Sequence, residues 1–186
     1  MPVNKATHIA LLRGINVGGN RRLPMKHLAA MFTEAGCVDV ETYIQTGNLV
    51  FRVPPTIAKR LPGTITTAIE QQFGFSVPVV IRSQEELAAT VTRNPFLKRG
   101  LDTAALHVAF LANVPDPASV AVLNTTRSPG DSLVLYGRDI YLWLPNGVAR
   151  TKLTNDYFDR TLKTVSTVRN WNTVLKLLEK AQNDER

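Results

Sequence analysis

A mixed α+β fold built from two similar halves is predicted by three observations. Apolar runs of strand length alternate with amphipathic stretches of helix length, two pairs of short β-rich runs close around turn-forming residues, and the element order of residues 1–95 recurs in residues 104–186. Each half reads β-α-β-β-α-β, the ferredoxin-like order, followed by one extra helix, so the chain is expected to be a tandem duplication joined by a linker at residues 96–103.

Residues 8–17 are rich in branched apolar side chains and run into Gly18-Gly19, which predicts a buried strand and then a loop. Pro24 suits a first helical position, Met25, Leu28, Ala29 and Phe32 recur at helical spacing, and Gly36 suits the stop. Residues 42–45 and 49–53 form a predicted hairpin around Thr46-Gly47-Asn48. Ile65, Ala68, Ile69 and Phe73 mark the next helix, residues 77–81 a strand, and Ser83 with Glu86 the capping box of the helix that Asn94-Pro95 ends.

In the second half, residues 106–112 predict a strand and Asp116-Pro117 opens a short helix. Residues 133–136 and 140–144 pair around Gly137-Arg138-Asp139. A helix follows near residues 154–162, then a strand at 164–168 and a helix on whose stripe lie Trp171, Val174, Leu175 and Leu178. Each half places an arginine, Arg82 or Arg169, where a strand meets a closing helix.

The 186 residues are 44% hydrophobic and 20% charged, values that favour a packed core over disorder. The amino terminus has neither the basic segment nor the long apolar run of a secretory signal, no later stretch reaches membrane-spanning length, and Cys37 is the single cysteine, so the expected location is the cytoplasm and no membrane is implicated. Net charge of +7 and a pI of 9.9 suit an anionic partner, although the 22 cations and 15 anions are interspersed as on an ordinary soluble surface.

Three strings carry a family resemblance: Ala10-Leu11-Leu12-Arg13-Gly14-Ile15-Asn16-Val17-Gly18-Gly19, Thr42-Tyr43-Ile44-Gln45-Thr46-Gly47-Asn48 and Val168-Arg169-Asn170-Trp171-Asn172-Thr173-Val174. With the segment from Phe73-Gly74-Phe75 to Arg82 they resemble the bacterial family called domain of unknown function 1697 over residues 7–179. The resemblance implies an α/β fold and bacterial origin and assigns no catalytic residue. Thr46 stands where that family usually shows Ser, which keeps a hydroxyl at the turn.

The candidate ligand-binding residues are Arg13, Asn16, Gly18, Gly19, Asn48, Arg82, Arg169 and Asn172. In residues 13–22, glycines permit close backbone approach, and Arg13, Arg21 and Arg22 are suited to phosphate or carboxylate. The same glycines equally suit a turn that requires positive φ. The segment matches neither G-x-G-x-x-G nor the NTP-binding G-x-x-x-x-G-K-[ST] pattern. Gly47 and Asn48 suit either a ligand-facing turn or an ordinary hairpin. In the third string Asn170 reads as an N-cap and Trp171 as a core anchor, while Arg169 and Asn172 stay open between packing and binding.

Other chemistry lacks a pattern. His8, His27 and His107 have no metal-ligand spacing, no G-x-S-x-G elbow occurs, Cys37 has no activating motif, and the question of a cofactor stays open. The leading expectation is a small anionic ligand, phosphorylated compounds among the candidates, held in a cleft of strand-end motifs, with no reaction assigned. A nucleic-acid-binding module is the alternative, weakened because residues 8–17 carry no stacking aromatic. A protein-interaction scaffold is the third, and no motif fixes the oligomeric state.

Overall fold

The computed structural model describes residues 5–183, which form two compact units: residues 5–88 with 176–183, and residues 89–175. The described chain is a mixed α+β structure with seven α-helices and two four-stranded antiparallel sheets. Among the described residues no helix is long and apolar enough to cross a membrane.

The first unit contains β1 (Ala6–Leu12), α1 (Met25–Glu34), β2 (Val38–Tyr43), β3 (Asn48–Val53), α2 (Pro55–Ala58), α3 (Leu61–Phe73) and β4 (Val79–Ser83), in the sheet order β2-β3-β1-β4. Alternation along the strands sends Ala10, Leu12, Leu49, Phe51 and Val53 to one face. There they meet Leu28, Met31 and Phe32 of α1 and Leu61, Ile65 and Ile69 of α3, side chains three or four residues apart and therefore on one helical stripe. Cys37 is sealed in this core.

From Ser83 the chain enters α4 (Gln84–Arg93) through the expected capping box: the Ser83 N–H donates to Glu86 Oε2 at 2.9 Å and the Glu86 N–H to Ser83 Oγ at 3.1 Å. The second unit contains β5 (Leu106–Leu111), α5 (Pro117–Ala121), β6 (Ser132–Tyr136), β7 (Asp139–Trp143), α6 (Asn155–Leu162) and β8 (Ser166–Asn170), ordered β6-β7-β5-β8. Its core packs Ala109, Leu111, Ile140 and Leu142 against Phe158 and Leu162 of α6. The last helix, α7 (Trp171–Asn183), is entered through Asn170, whose Oδ1 accepts from the Thr173 N–H at 2.8 Å.

Five local features differ from the sequence expectation. The first strand ends at Leu12 rather than residue 17, because Gly14 (φ 73°) and Asn16 (φ 55°) adopt left-handed backbone that an extended strand cannot continue through. The first hairpin arm begins earlier, at Val38, and the last strand runs later, to Asn170. Helix α2 was unanticipated, and Pro55 at its first position, with φ already helical and no N–H to satisfy, accounts for its start. The expected linker holds the 3-10 turn Leu97–Arg99, and a second such turn spans Thr103–Ala105.

The second face of each sheet is also covered. In the first unit Ile9, Leu11, Val50 and Arg82 are buried there, and Lys180 of α7 pairs with Glu41 and lies over the Tyr43 ring at 5.8 Å. In the second unit Val108, Phe110, Tyr141 and Arg169 are buried on the matching face. There Thr90 of α4 donates from Oγ1 to Asp139 Oδ2 at 2.6 Å and accepts at its carbonyl from the Tyr141 hydroxyl at 2.8 Å.

Candidate functional site

Two of the singled-out strings meet in the first unit. The Leu12 N–H donates to the Gly47 carbonyl at 2.8 Å, which brings the end of β1 against the β2–β3 turn. A Cβ on Gly47 would lie 2.7 Å from Leu12 Cβ and 2.9 Å from Ile15 Cδ1, and Gly47 has φ 85°, so both contact and conformation demand glycine. Asn16 fastens the joint. Its Nδ2 donates at 2.8 Å to the carbonyls of Leu23 and Gln45, and its Oδ1 accepts from the Leu23 N–H at 2.8 Å. An amide side chain carries both donors and acceptor, and asparagine tolerates the left-handed backbone better than most residues.

Between these anchors, residues 16–21 form a small hairpin. The Asn16 N–H donates to the Arg21 carbonyl at 3.2 Å, and Val17 and Asn20 bridge across a turn whose central residues are Gly18 (φ 62°) and Gly19 (φ 77°). Two left-handed residues are what a tight hairpin turn needs. The glycines therefore stand at an exposed loop tip, with Pro24 as the N-cap of α1 several residues further on, rather than at a helix start.

Arg21 and Arg22 are exposed where the chain leaves this hairpin, and Arg21 Nη1 comes within 3.4 Å of where a Gly14 Cβ would sit. Among the described residues no carboxylate pairs with either guanidinium. Arg13 is half-buried at the base, its N–H donating to the Pro78 carbonyl at 3.1 Å. The first acidic residue of the whole sequence is Glu34, so Lys5, Arg13, Arg21, Arg22 and Lys26 precede any negative side chain.

The remaining candidates are placed differently. Asn48 is fully buried, its Nδ2 donating to the Tyr43 carbonyl at 3.2 Å and to Thr46 Oγ1 at 3.1 Å, so Thr46 uses its hydroxyl within the turn. Arg82 is 1% exposed and its Nη1 donates to the Ile81 carbonyl at 3.1 Å. Arg169, in the second unit, donates from Nη1 to Thr167 Oγ1 at 2.8 Å and to the Val168 carbonyl at 3.0 Å, and burial pushes its guanidinium down to about 10. Asn172 is exposed in the first turn of α7, next to Trp171, which is buried. Arg13, Asn16, Gly18, Gly19, Asn48 and Arg82 thus belong to the first unit, Arg169 and Asn172 to the second.

His8 and His107 take one role twice. Their Nδ1 atoms donate to the carbonyls of Ala6 and Ala105, two residues back, at 2.9 and 3.1 Å, and a carbonyl partner requires the proton on Nδ1. Cys37 has its thiol pushed up to about 11 by burial, which leaves no thiolate for chemistry near neutral pH. Among the described residues no three of His, Cys, Asp and Glu gather in metal-binding geometry.

Sequence reasoning passed over a concavity of about 500 Å³ in the second unit, lined by Arg93, Tyr136 and Gly137. Tyr136 is half-exposed and packs edge-on against Tyr141 at 6.1 Å between ring centroids. The Tyr141 phenol is held well above its ordinary range, first by burial and then by Asp139, with Arg93 opposing. The one advance signal was an aromatic residue flanking the Gly137-Arg138 turn, which hairpin chemistry alone already explains.

Comparison with known proteins agrees with the fold. The model of a family described as "Protein of unknown function (DUF1697)" matches residues 6–141. The solved structure of the conserved bacterial protein SP0830 from Streptococcus pneumoniae is similar with a TM-score of 0.67 at 22% identity, over 96% of this chain and 99% of that one. No match is found among curated proteins.

Proposed function

This chain belongs to the DUF1697 family, and from that premise, which supplies relatives and no reaction, we propose that it binds a small anionic, phosphorylated ligand at the hairpin of residues 13–22. The observation that carries this reading is the pair of exposed guanidiniums of Arg21 and Arg22, without carboxylate partners among the described residues, on a hairpin whose base is locked by Asn16. A pre-fixed loop loses little freedom on binding, and planar guanidiniums match phosphate oxygens in pairs. Arg13 extends the cationic surface, and Gly18 and Gly19 present backbone N–H groups at the tip. Asn16 and Asn48 act through the turns they hold. Arg82 and Arg169 are buried within their own units, away from the exposed loop tip, while Asn172 offers an exposed amide in the second unit.

The reading also includes a tandem duplication of two ferredoxin-like halves, residues 1–95 and 104–186, joined by 96–103, each with an extra closing helix. The matching sheet orders support it, as do the repeated histidine contacts and the Leu12–Gly47 bond recurring as Leu111–Arg138 at 2.8 Å. The nucleic-acid alternative loses ground because Ile9, Leu11 and Val50, and likewise Val108, Phe110 and Tyr141, are buried where an RNA-reading sheet needs an open face.

The test is a thermal-shift titration with inorganic phosphate, pyrophosphate, sugar phosphates and nucleotides, with a short oligonucleotide in parallel. A phosphorylated compound should raise Tm in the wild type and much less in Arg21→Ala/Arg22→Ala. An equal shift in that variant and in Arg13→Ala overturns the assignment, and a salt-sensitive response to the oligonucleotide alone transfers it to nucleic acid.

A further inference from the structure

The two sheets carry the same cross-strand layout, and two positions in it differ in charge: Val134 stands where the first sheet has Glu41, and Asp139, which accepts from the Thr90 hydroxyl, stands where it has Asn48. In the first sheet Glu41 pairs with Val50, Val50 with Ile9 and Ile9 with Arg82; in the second Val134 pairs with Tyr141, Tyr141 with Val108 and Val108 with Arg169. The adjoining row runs from Tyr43 through Asn48 to Leu11, and from Tyr136 through Asp139 to Phe110. Tyr136 therefore matches Tyr43, and Val134 matches Glu41. The closing helices match as well. Ser83 pairs with His8 and Asn170 with His107, and ten residues beyond each comes a cation, Arg93 after Ser83 and Lys180 after Asn170.

In the first unit this arrangement is complete: the Lys180 ammonium lies over the Tyr43 ring and pairs with the Glu41 carboxylate. In the second unit the cation and the tyrosine recur, but the carboxylate position holds Val134, and among the described residues no carboxylate pairs with Arg93. Arg93, Tyr136 and Gly137 instead line the concavity of about 500 Å³, a size within the range of small-molecule pockets. A Cβ on Gly137 would meet nothing within 4 Å, so the wall on that side is open.

We propose that this concavity is a second ligand site, for a small carboxylic acid with an aromatic or branched apolar body. The ligand's carboxylate pairs with Arg93 as Glu41 pairs with Lys180, and its body packs on the half-exposed Tyr136 ring beside Val134. Arginine in place of lysine suits an external acid, because the guanidinium fork fixes a carboxylate through two parallel hydrogen bonds. The concavity belongs to the second unit and the hairpin of residues 13–22 to the first, and this proposal does not rest on that hairpin.

The experiment is a titration of the full chain with 3-phenylpropionate, followed by amide and Arg93 side-chain NMR shifts. Phenethylammonium and inorganic phosphate serve as probes that lack, respectively, the carboxylate and the apolar body. Saturable shifts centred on Arg93, Tyr136 and Gly137 are expected with 3-phenylpropionate alone, weakened at least about tenfold in Arg93→Gln, the loss of roughly one charge-assisted pair. Val134→Glu, which restores the internal carboxylate of the first unit, should abolish binding while Arg93 Nε–H shifts as if liganded. Absence of saturable shifts, equal binding of phosphate or phenethylammonium, or binding unchanged in Arg93→Gln overturns the proposal. Arg93 is exposed, so that variant tests the site without disturbing the core.

Discussion

Replacing Gly47 by alanine tests the joint between the first two motifs. The left-handed backbone at φ 85° costs an L-residue about 1–2 kcal/mol. The new Cβ adds overpacking, because its neighbours at 2.7 and 2.9 Å are the fully buried side chains of Leu12 and Ile15, which have no free space to retreat into. Overpacking of a tight core costs about 1–3 kcal/mol, so the expected loss is about 2–5 kcal/mol. Gly19→Ala is the matched control: its φ is 77°, but an added Cβ meets nothing within 4 Å, so only the backbone penalty applies. Urea titration, read by the reactivity of Cys37 in the same core, should place the Gly47→Ala midpoint roughly 1–2.5 M below wild type, for a slope near 2 kcal/mol/M. Gly19→Ala should fall by about half as much or less. Equal losses in the two variants would refute the contact argument and leave backbone conformation as the sole reason for glycine.

Two further outcomes follow from titration. Cys37, with its thiol pushed up to about 11 by burial, should react with a disulfide reagent at pH 8 only as fast as the first unit opens, and at the ordinary rate in denaturant; prompt native reaction would contradict its placement in the core. Burial lowers the pKa of His107 below 6.5, against a smaller opposing contribution from its bond to Ala105. The unfolded chain then binds the extra proton first, so stability rises with pH between the lowered value and 6.5 and is lost as pH falls through that window. His107→Asn should flatten the acid limb for the second unit, as monitored by Trp143 and Trp171 fluorescence, and an unchanged limb would remove His107 from the account.

The candidate site was less legible than the fold, for reasons visible in particular residues. The hairpin turn at Gly47, the Ser83–Glu86 capping box and the Asn170 cap could be read directly, because each is satisfied within a few residues of chain. Gly18 and Gly19 could be read as positive-φ residues, but their position at a hairpin tip depended on Asn16 reaching Leu23 and Gln45, a distance in sequence that no local rule spans.

The alternation of strands and helices, the polarity of their faces and the identity of the caps were legible from residue order, since these depend on short-range periodicity and on backbone groups that neighbours satisfy. Tertiary structure alone decided that Arg82 and Arg169 turn inward, and that Gly47 closes on Leu12 and Ile15. It alone set Arg93 and Tyr136 on one concavity while Lys180 meets Glu41. A strand buries its second face only when a distant segment covers it, and which segment arrives is set by packing over the whole unit rather than by any local pattern.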